Sequence, residues 1–177
     1  MPGVTRWRVR AALMDLALLL AWAVVVAVVT VPLYATGRLP GLTPMPALVT
    51  GAVLVIVPVI VALALLEGGR YEASPGKQWF GLRVRRSDGS RLGFARSLLR
   101  NTFKLGPPWL LACAAVMVWA SAVPPVGVDV WVLTVIACLL PVGYLIAALT
   151  GRGSGPHDVL ADSVIIATAP GRRVAQD

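Results

Sequence analysis

Residues 67–106 read EGGRYEASPGKQWFGLRVRRSDGSRLGFARSLLRNTFKLG. Nine lysines and arginines fall here: Arg70, Lys77, Arg83, Arg85, Arg86, Arg91, Arg96, Arg100 and Lys104. Apolar runs flank the stretch, Ala47–Leu66 before it and Pro107–Val123 after it. Two more lie further out, Val9–Leu33 and Val130–Leu149. Crossing the hydrocarbon core of a bilayer takes about 20 apolar residues at about 1.5 Å each. Four runs of this kind around one basic segment predict four transmembrane helices and a cytoplasmic loop over 67–106.

Composition agrees. Of 177 residues, 58% are hydrophobic and 14% charged. Soluble domains carry about 25% charged residues, so the surplus apolar surface needs lipid as its solvent. The length suits a single unit over 1–177. A signal peptide is the competing reading of the first run, and Arg6, Arg8 and Arg10 fit its basic start. The run is too long for that, Asp15 interrupts it, and no clear A-x-A site follows.

Orientation follows from lysine and arginine, which collect on the cytoplasmic side. Three lie in the N-terminal tail, nine in the 67–106 loop, and Arg152, Arg172 and Arg173 follow the fourth run. Arg38 alone lies between the first two runs, and none lies between Pro124 and Asp129. Both termini and the middle loop are therefore expected in the cytoplasm, with the chain in a bacterial inner (plasma) membrane. The same asymmetry accounts for a pI near 10.8. Anionic lipid headgroups, rather than nucleic acid, are the expected partners of the basic face.

The loop carries its own pattern. Leu82-Arg83-Val84-Arg85 alternates with the period of a strand. Asp88-Gly89 is a hairpin-turn pair, and Arg91-Leu92-Gly93-Phe94 is placed to return. The period then lengthens. Ala95, Leu98, Leu99, Thr102 and Phe103 fall on one helical face, and Arg96, Arg100 and Lys104 on another. This predicts an amphipathic interfacial helix over about 94–105, feeding the third span at Pro107-Pro108. Val164-Ile165-Ile166 offers a further strand to the hairpin. The fold class is an all-α membrane protein of four transmembrane helices, with a small cytoplasmic β-hairpin and that interfacial helix.

Few residues suggest chemistry. Cys113 and Cys138 sit inside apolar runs and His157 is the single histidine, so neither a metal site nor a disulfide framework is expected. Ser74-Pro75-Gly76-Lys77 has the outline of a phosphate loop, but Tyr71 replaces its first glycine and Gln78 its Ser/Thr. Gly151 and Gly155 have G-x-x-x-G spacing but follow the fourth run in a polar segment, where a turn is expected. No catalytic constellation stands out, and neither an enzyme nor a cofactor is expected. Asp15 is the informative charge. It lies about two helical turns past Arg8, and side chains tilt toward the helix N-terminus, so Arg8 leans away from it. Charges inside a membrane call for partners from elsewhere, with Lys77, Arg100 and Asp158 as candidates for this pair.

Three segments resemble the RDD family, named for one arginine and two aspartates. Arg8-Val9-Arg10-Ala11-Ala12-Leu13-Met14-Asp15 is similar to its R-x-x-A-x-x-x-D opening. Residues 74–84, Asp88-Gly89 and 96–101 are similar to its central segment, and 157–164 to its closing one. The resemblance implies that Arg8, Asp15 and Asp158 are the naming triad, accompanied by Gly76, Lys77, Gly81, Arg100 and His157. Ser163 stands where threonine is usual, and Asp162 where a small residue is common. The resemblance also implies transport of ions or small molecules, including cation/proton exchange. Pro58 and Pro141, at matching depths of the second and fourth runs, free the carbonyls of Leu54 and Ala137 and fit that class. The four runs hold no ionisable residue besides Asp15, so transport calls for a homo-oligomer. The other open class is a non-transporting scaffold or accessory subunit. There the triad is a structural clamp, with Arg8 near Asp158 and Asp15 near a loop cation.

The orientation has a direct test. A cysteine at position 38 is expected to react with an impermeant thiol reagent in intact cells, and one at position 87 is not. The reverse pattern contradicts the topology.

Overall fold

The computed structural model describes residues 2–38, 44–121, 126–149 and 155–168. Most of this is helix. α1 spans Pro2–Ala35. α2 (Pro44–Gly51), a π-helical turn (Ala52–Ile56) and α3 (Val57–Gly68) run on as one rod. α4 (Pro75–Trp79) is a single short turn leading into β1 (Leu82–Arg86). α5 (Phe94–Ser121) and α6 (Val128–Leu149) follow, then α7 (Pro156–Leu160) and β2 (Ser163–Ala167).

Three helices are long and apolar enough to cross a membrane: Arg6–Ala35, Val49–Gly68 and Phe94–Trp119. Val128–Tyr144 is a shorter apolar helix. These lie where the apolar runs predict them, with longer helical extensions on the side of the 67–106 loop. Arg152, Arg172, Arg173, the Gly151 end of the G-x-x-x-G spacing and Val123, the predicted end of the third run, lie outside the described residues. The outer faces are apolar, with Leu13, Val28 and Val116 all more than half exposed. Such faces are costly in water and suited to hydrocarbon.

The inner contact is small. Val55, Ile56 and Ile60 are buried, and Leu19, Ala23, Val26, Leu98, Leu105 and Trp109 pack on them. The π turn therefore lies where α1, α3 and α5 meet. Its cause is local. Pro58 has no N–H to give the carbonyl of Leu54 one turn back. The Trp22 indole on α1 donates to that carbonyl instead, at 3.1 Å. Pro107 deprives the carbonyl of Phe103 in the same way, and the Tyr144 hydroxyl on α6 donates to it at 3.2 Å. Neighbouring helices thus supply the donors that proline removes, which is how spanning helices tolerate it.

That compensation changes one expectation. The amphipathic helix and the third span are one continuous helix, α5, and Pro107-Pro108 do not divide it. The segment 94–105 is therefore the first turns of a spanning-length helix rather than a separate interfacial one.

The hairpin needs a smaller correction. The turn forms at Asp88-Gly89: Gly89 has φ +82°, its N–H donates to the Arg86 carbonyl at 3.0 Å, and Asp88 accepts the Ser90 N–H at 2.8 Å. The return arm makes only an isolated bridge, Arg85 with Arg91. The full partner of β1 is β2, antiparallel, with Val84 opposite Ile165. The apolar Val164-Ile165-Ile166 run therefore docks on the loop strand, which brings the segment after α6 back to the middle of the chain.

Candidate functional site: a charged clamp at the loop end of the bundle

Ile60, Leu63, Ala64 and Glu67 are the buried residues of α3. Their spacing is the i, i+3, i+4, i+7 stripe of one helical face, and a carboxylate ends it. Glu67 is wholly buried. Gly68 beside it lets α5 come close, since a Cβ there would lie 2.7 Å from Gly93 and Phe94 backbone atoms. A matching polar stripe runs down α5: Ser97, Arg100, Asn101 and Lys104. The first three are at most 1% exposed.

This reverses the expected sense of the amphipathic segment at Arg100 and Lys104, while Arg96 of the same expected face stays exposed on Asp162. The polar stripe faces inward, while Phe94, Leu99 and Phe103 on the other side are each more than 40% exposed. Lipid makes the reversal inexpensive, because apolar side chains lose nothing by facing hydrocarbon, and charges there must find partners inside the protein.

Arg100 is the hub. Its Nη1 donates to Glu67 Oε2 at 2.6 Å and its Nε to Asp158 Oδ1 at 2.7 Å. Lys77 of α4 pairs with the other Glu67 oxygen. Asn101 Nδ2 adds a bond to Glu67 Oε2 at 3.0 Å. Asp158 also accepts from the Gly155 N–H at 3.0 Å and the Ser163 hydroxyl at 3.2 Å. Two carboxylates and two cations, each no more than 5% exposed, thus balance inside the protein.

Asp15 and Arg8 close the circuit on α1. Asp15 accepts the Ser74 hydroxyl at 2.5 Å and the Gly76 N–H at 2.8 Å, so it satisfies the orphan donors that open α4. Gly76 is obligatory at this approach, because a Cβ would lie 2.2 Å from the Ala11 carbonyl oxygen. Arg8 Nη2 donates to the Ile165 carbonyl of β2 at 2.7 Å. Gly81, at φ +65°, takes the left-handed conformation that turns α4 into β1. His157 is buried against Tyr144 at 5.6 Å between rings, and its Nε2 lies 3.6 Å from Asp158.

Every residue singled out by the family resemblance therefore lies in or beside one assembly, with Arg8 within electrostatic reach of Asp158 and Asp15 of Lys104. Asp158 accepts a hydrogen bond from Arg100, and Asp15 accepts from Ser74 and Gly76. Strand pairing brings the β2 backbone to Arg8, while α7 delivers Asp158 to the face of α5. Glu67, Ser97 and Lys104 were not anticipated as members. The signal for Glu67 was its place at the end of an i, i+3, i+4 apolar stripe.

Two further carboxylates hold the loop outside this core. Glu72, 2% exposed, gathers Arg85 at 2.9 Å, Arg91 at 3.0 Å and Arg83 at 3.7 Å. Asp162 takes Arg96 at 3.2 Å and Arg86 at 3.5 Å. Among α1, α3, α4 and α5, next to the core cluster, lies a cavity of about 270 Å³, apolar except where Asp15 and Lys104 reach it.

Helices of spanning length closed at one end by buried ion pairs define a membrane-type protein. The chain matches the RDD family model over residues 2–162 and belongs to that family. No curated protein and no solved structure matches it.

The cluster has a pH signature. Burial pushes the His157 imidazole down to about 4, against the pull of neighbouring Asp158. Burial pushes Asp158 up, yet Arg100, His157 and the Gly155 N–H together hold its carboxyl below the usual range. Unfolded, the imidazole titrates near 6.5. Between those values the unfolded chain binds the extra proton, so stability is full above pH 6.5 and falls as pH drops toward 4. The expected loss is on the order of 3 kcal/mol, at 1.36 kcal/mol per unit. Asp158 contributes its own loss only at lower pH. Thermal unfolding in detergent across this window is expected to show the slope, and His157→Gln to flatten it. An unchanged slope in the variant places the acid sensitivity elsewhere.

Proposed function

We propose that this RDD protein is a four-span plasma-membrane scaffold or accessory subunit, with both termini in the cytoplasm, whose Arg8, Asp15 and Asp158 act as a structural clamp. One observation carries this reading. Each of the three spends hydrogen bonds on tying a different cytoplasmic segment to the bundle: Arg8 on β2, Asp15 on α4, and Asp158 on α5. A residue that exchanges a proton or cation in each cycle must release its partners. Here Asp15 holds a hydroxyl and a backbone N–H that no other described group satisfies. The basic loop, with Arg70 and Arg91 outward, then serves as the surface that meets anionic headgroups.

Transport by a homo-oligomer is the second reading. Asp15 borders the cavity, and a carboxylate at a cavity is where an ion would bind. Proteoliposomes separate the two. On the scaffold reading, sodium, potassium and proton gradients decay no faster than in protein-free vesicles. Flux that requires the protein, and that Asp15→Asn abolishes while the protein stays folded, overturns the scaffold reading in favour of transport.

A further inference from the structure

Lys104 differs from the other inward cations of the clamp. Arg100 and Lys77 each hold a carboxylate oxygen. The Lys104 ammonium makes no hydrogen bond or ion pair among the described residues, although it lies one turn below Arg100 on the same stripe and is only partly exposed. The nearby carboxylates are already committed. Glu67 accepts from Lys77, Arg100 and Asn101, and Asp15 from Ser74 and Gly76. The Lys104 ammonium therefore keeps unused donors beside the cavity, with Glu67 and Asp15 near enough for their charges to act on it but not hydrogen-bonded to it.

The space beside Lys104 indicates what that acceptor carries. The cavity it borders has Lys104 and the already hydrogen-bonded Asp15 at its polar end, and is otherwise formed by Leu16 and Leu19 of α1, Val59, Ala62 and Leu66 of α3, and Leu105 of α5. Away from the Asp15 and Lys104 end the slot offers no polar partner to ordered water, which needs two to four, and it favours an apolar guest. A cation at one end of an apolar slot between helices matches an amphiphile with an anionic head and a hydrocarbon chain. Lysine is suited to phosphate as a compact point charge.

We propose that the cavity among α1, α3 and α5 is a lipid site, in which the phosphate of an anionic phospholipid pairs with Lys104 and one acyl chain fills the apolar slot. The site rests on the membrane reading above and adds a single, selective ligand to it. It differs from the general attraction of the basic loop for a charged surface. The outward arginines of the loop are screened by water and salt, whereas Lys104 meets its ligand from the hydrocarbon side.

Native mass spectrometry of the full chain, purified from membranes in a neutral detergent, tests this. The probes are phosphatidylglycerol, phosphatidylcholine of the same chains, and inorganic phosphate. One phosphatidylglycerol per chain is expected to stay bound in preference to phosphatidylcholine, and phosphate at millimolar concentration is not expected to displace it. Lys104→Gln is expected to weaken that binding roughly tenfold, as one charge-assisted hydrogen bond is lost, and Lys104→Arg to restore most of it. Arg70→Gln on the loop surface is expected to leave it unchanged. Filling the slot with Ala62→Leu is expected to exclude the lipid while Lys104 remains. Equal retention of the two lipids, equal binding by wild type and Lys104→Gln, or displacement by free phosphate overturns the lipid site and leaves the membrane reading intact. Recovery of the chain from the soluble fraction overturns both.

Discussion

Arg100 holds two carboxylates at once, Glu67 from α3 and Asp158 from α7, and the rest of the loop end is arranged around that fork. A guanidinium suits the task because its donors are rigid and it stays charged. The arrangement is closed. α3 reaches α4 through Glu67 and Lys77, and α4 reaches α1 through Gly76 and Asp15. α1 reaches β2 through Arg8, and β2 returns through Ser163 to Asp158. Each link joins segments far apart in sequence, so the polar core does here what an apolar core does in a soluble domain.

This division of labour follows from the solvent. Between helices in hydrocarbon, apolar contact gives little net drive, because lipid tails compete equally well for the same surface. The buried apolar cluster is correspondingly small, centred on Val55, Ile56 and Ile60. Charges behave in the opposite way. Once drawn below the headgroups they are held firmly by their partners, and a buried pair broken on one side costs about 3–5 kcal/mol. Specificity of assembly then resides in the ion pairs and in two close glycine contacts, Gly68 against Phe94 and Gly76 against Ala11. The carbonyls freed by Pro58 and Pro107 add side-chain bonds between spans, from Trp22 and Tyr144.

Much of this was legible in the sequence. Apolar run length located the helices, because the period and length of such runs have a single physical reading in lipid. The alternation at Leu82–Arg85 and the Asp88-Gly89 pair located β1 and its turn, and the β-branched run at 164–166 located β2. The residues that the family resemblance names lie around the clamp. Partner choice was not legible, because it depends on where α7 and β2 dock, and no local pattern encodes that distance. The facing of α5 was misread for a related reason. Its basic face Arg96, Arg100 and Lys104 was visible, but periodicity reports that two faces differ and not which one lies inward; Arg100 and Lys104 turn in, and Arg96 stays exposed on Asp162. In water the polar face would be outside; beside lipid, with Glu67 waiting on α3, it is inside.

The central claim is that Arg100 and Asp158 act as one energetic unit within this ring. A double-mutant cycle on unfolding stability in detergent measures it directly, with Arg100→Met, Asp158→Asn and the two combined. Each single change leaves a buried charge without its partner and is expected to cost about 3–5 kcal/mol. The double change removes both charges, and its cost is expected to fall below the sum of the two by more than about 1 kcal/mol. Strict additivity would contradict the account, since it would mean that the two side chains contribute to stability without sensing each other.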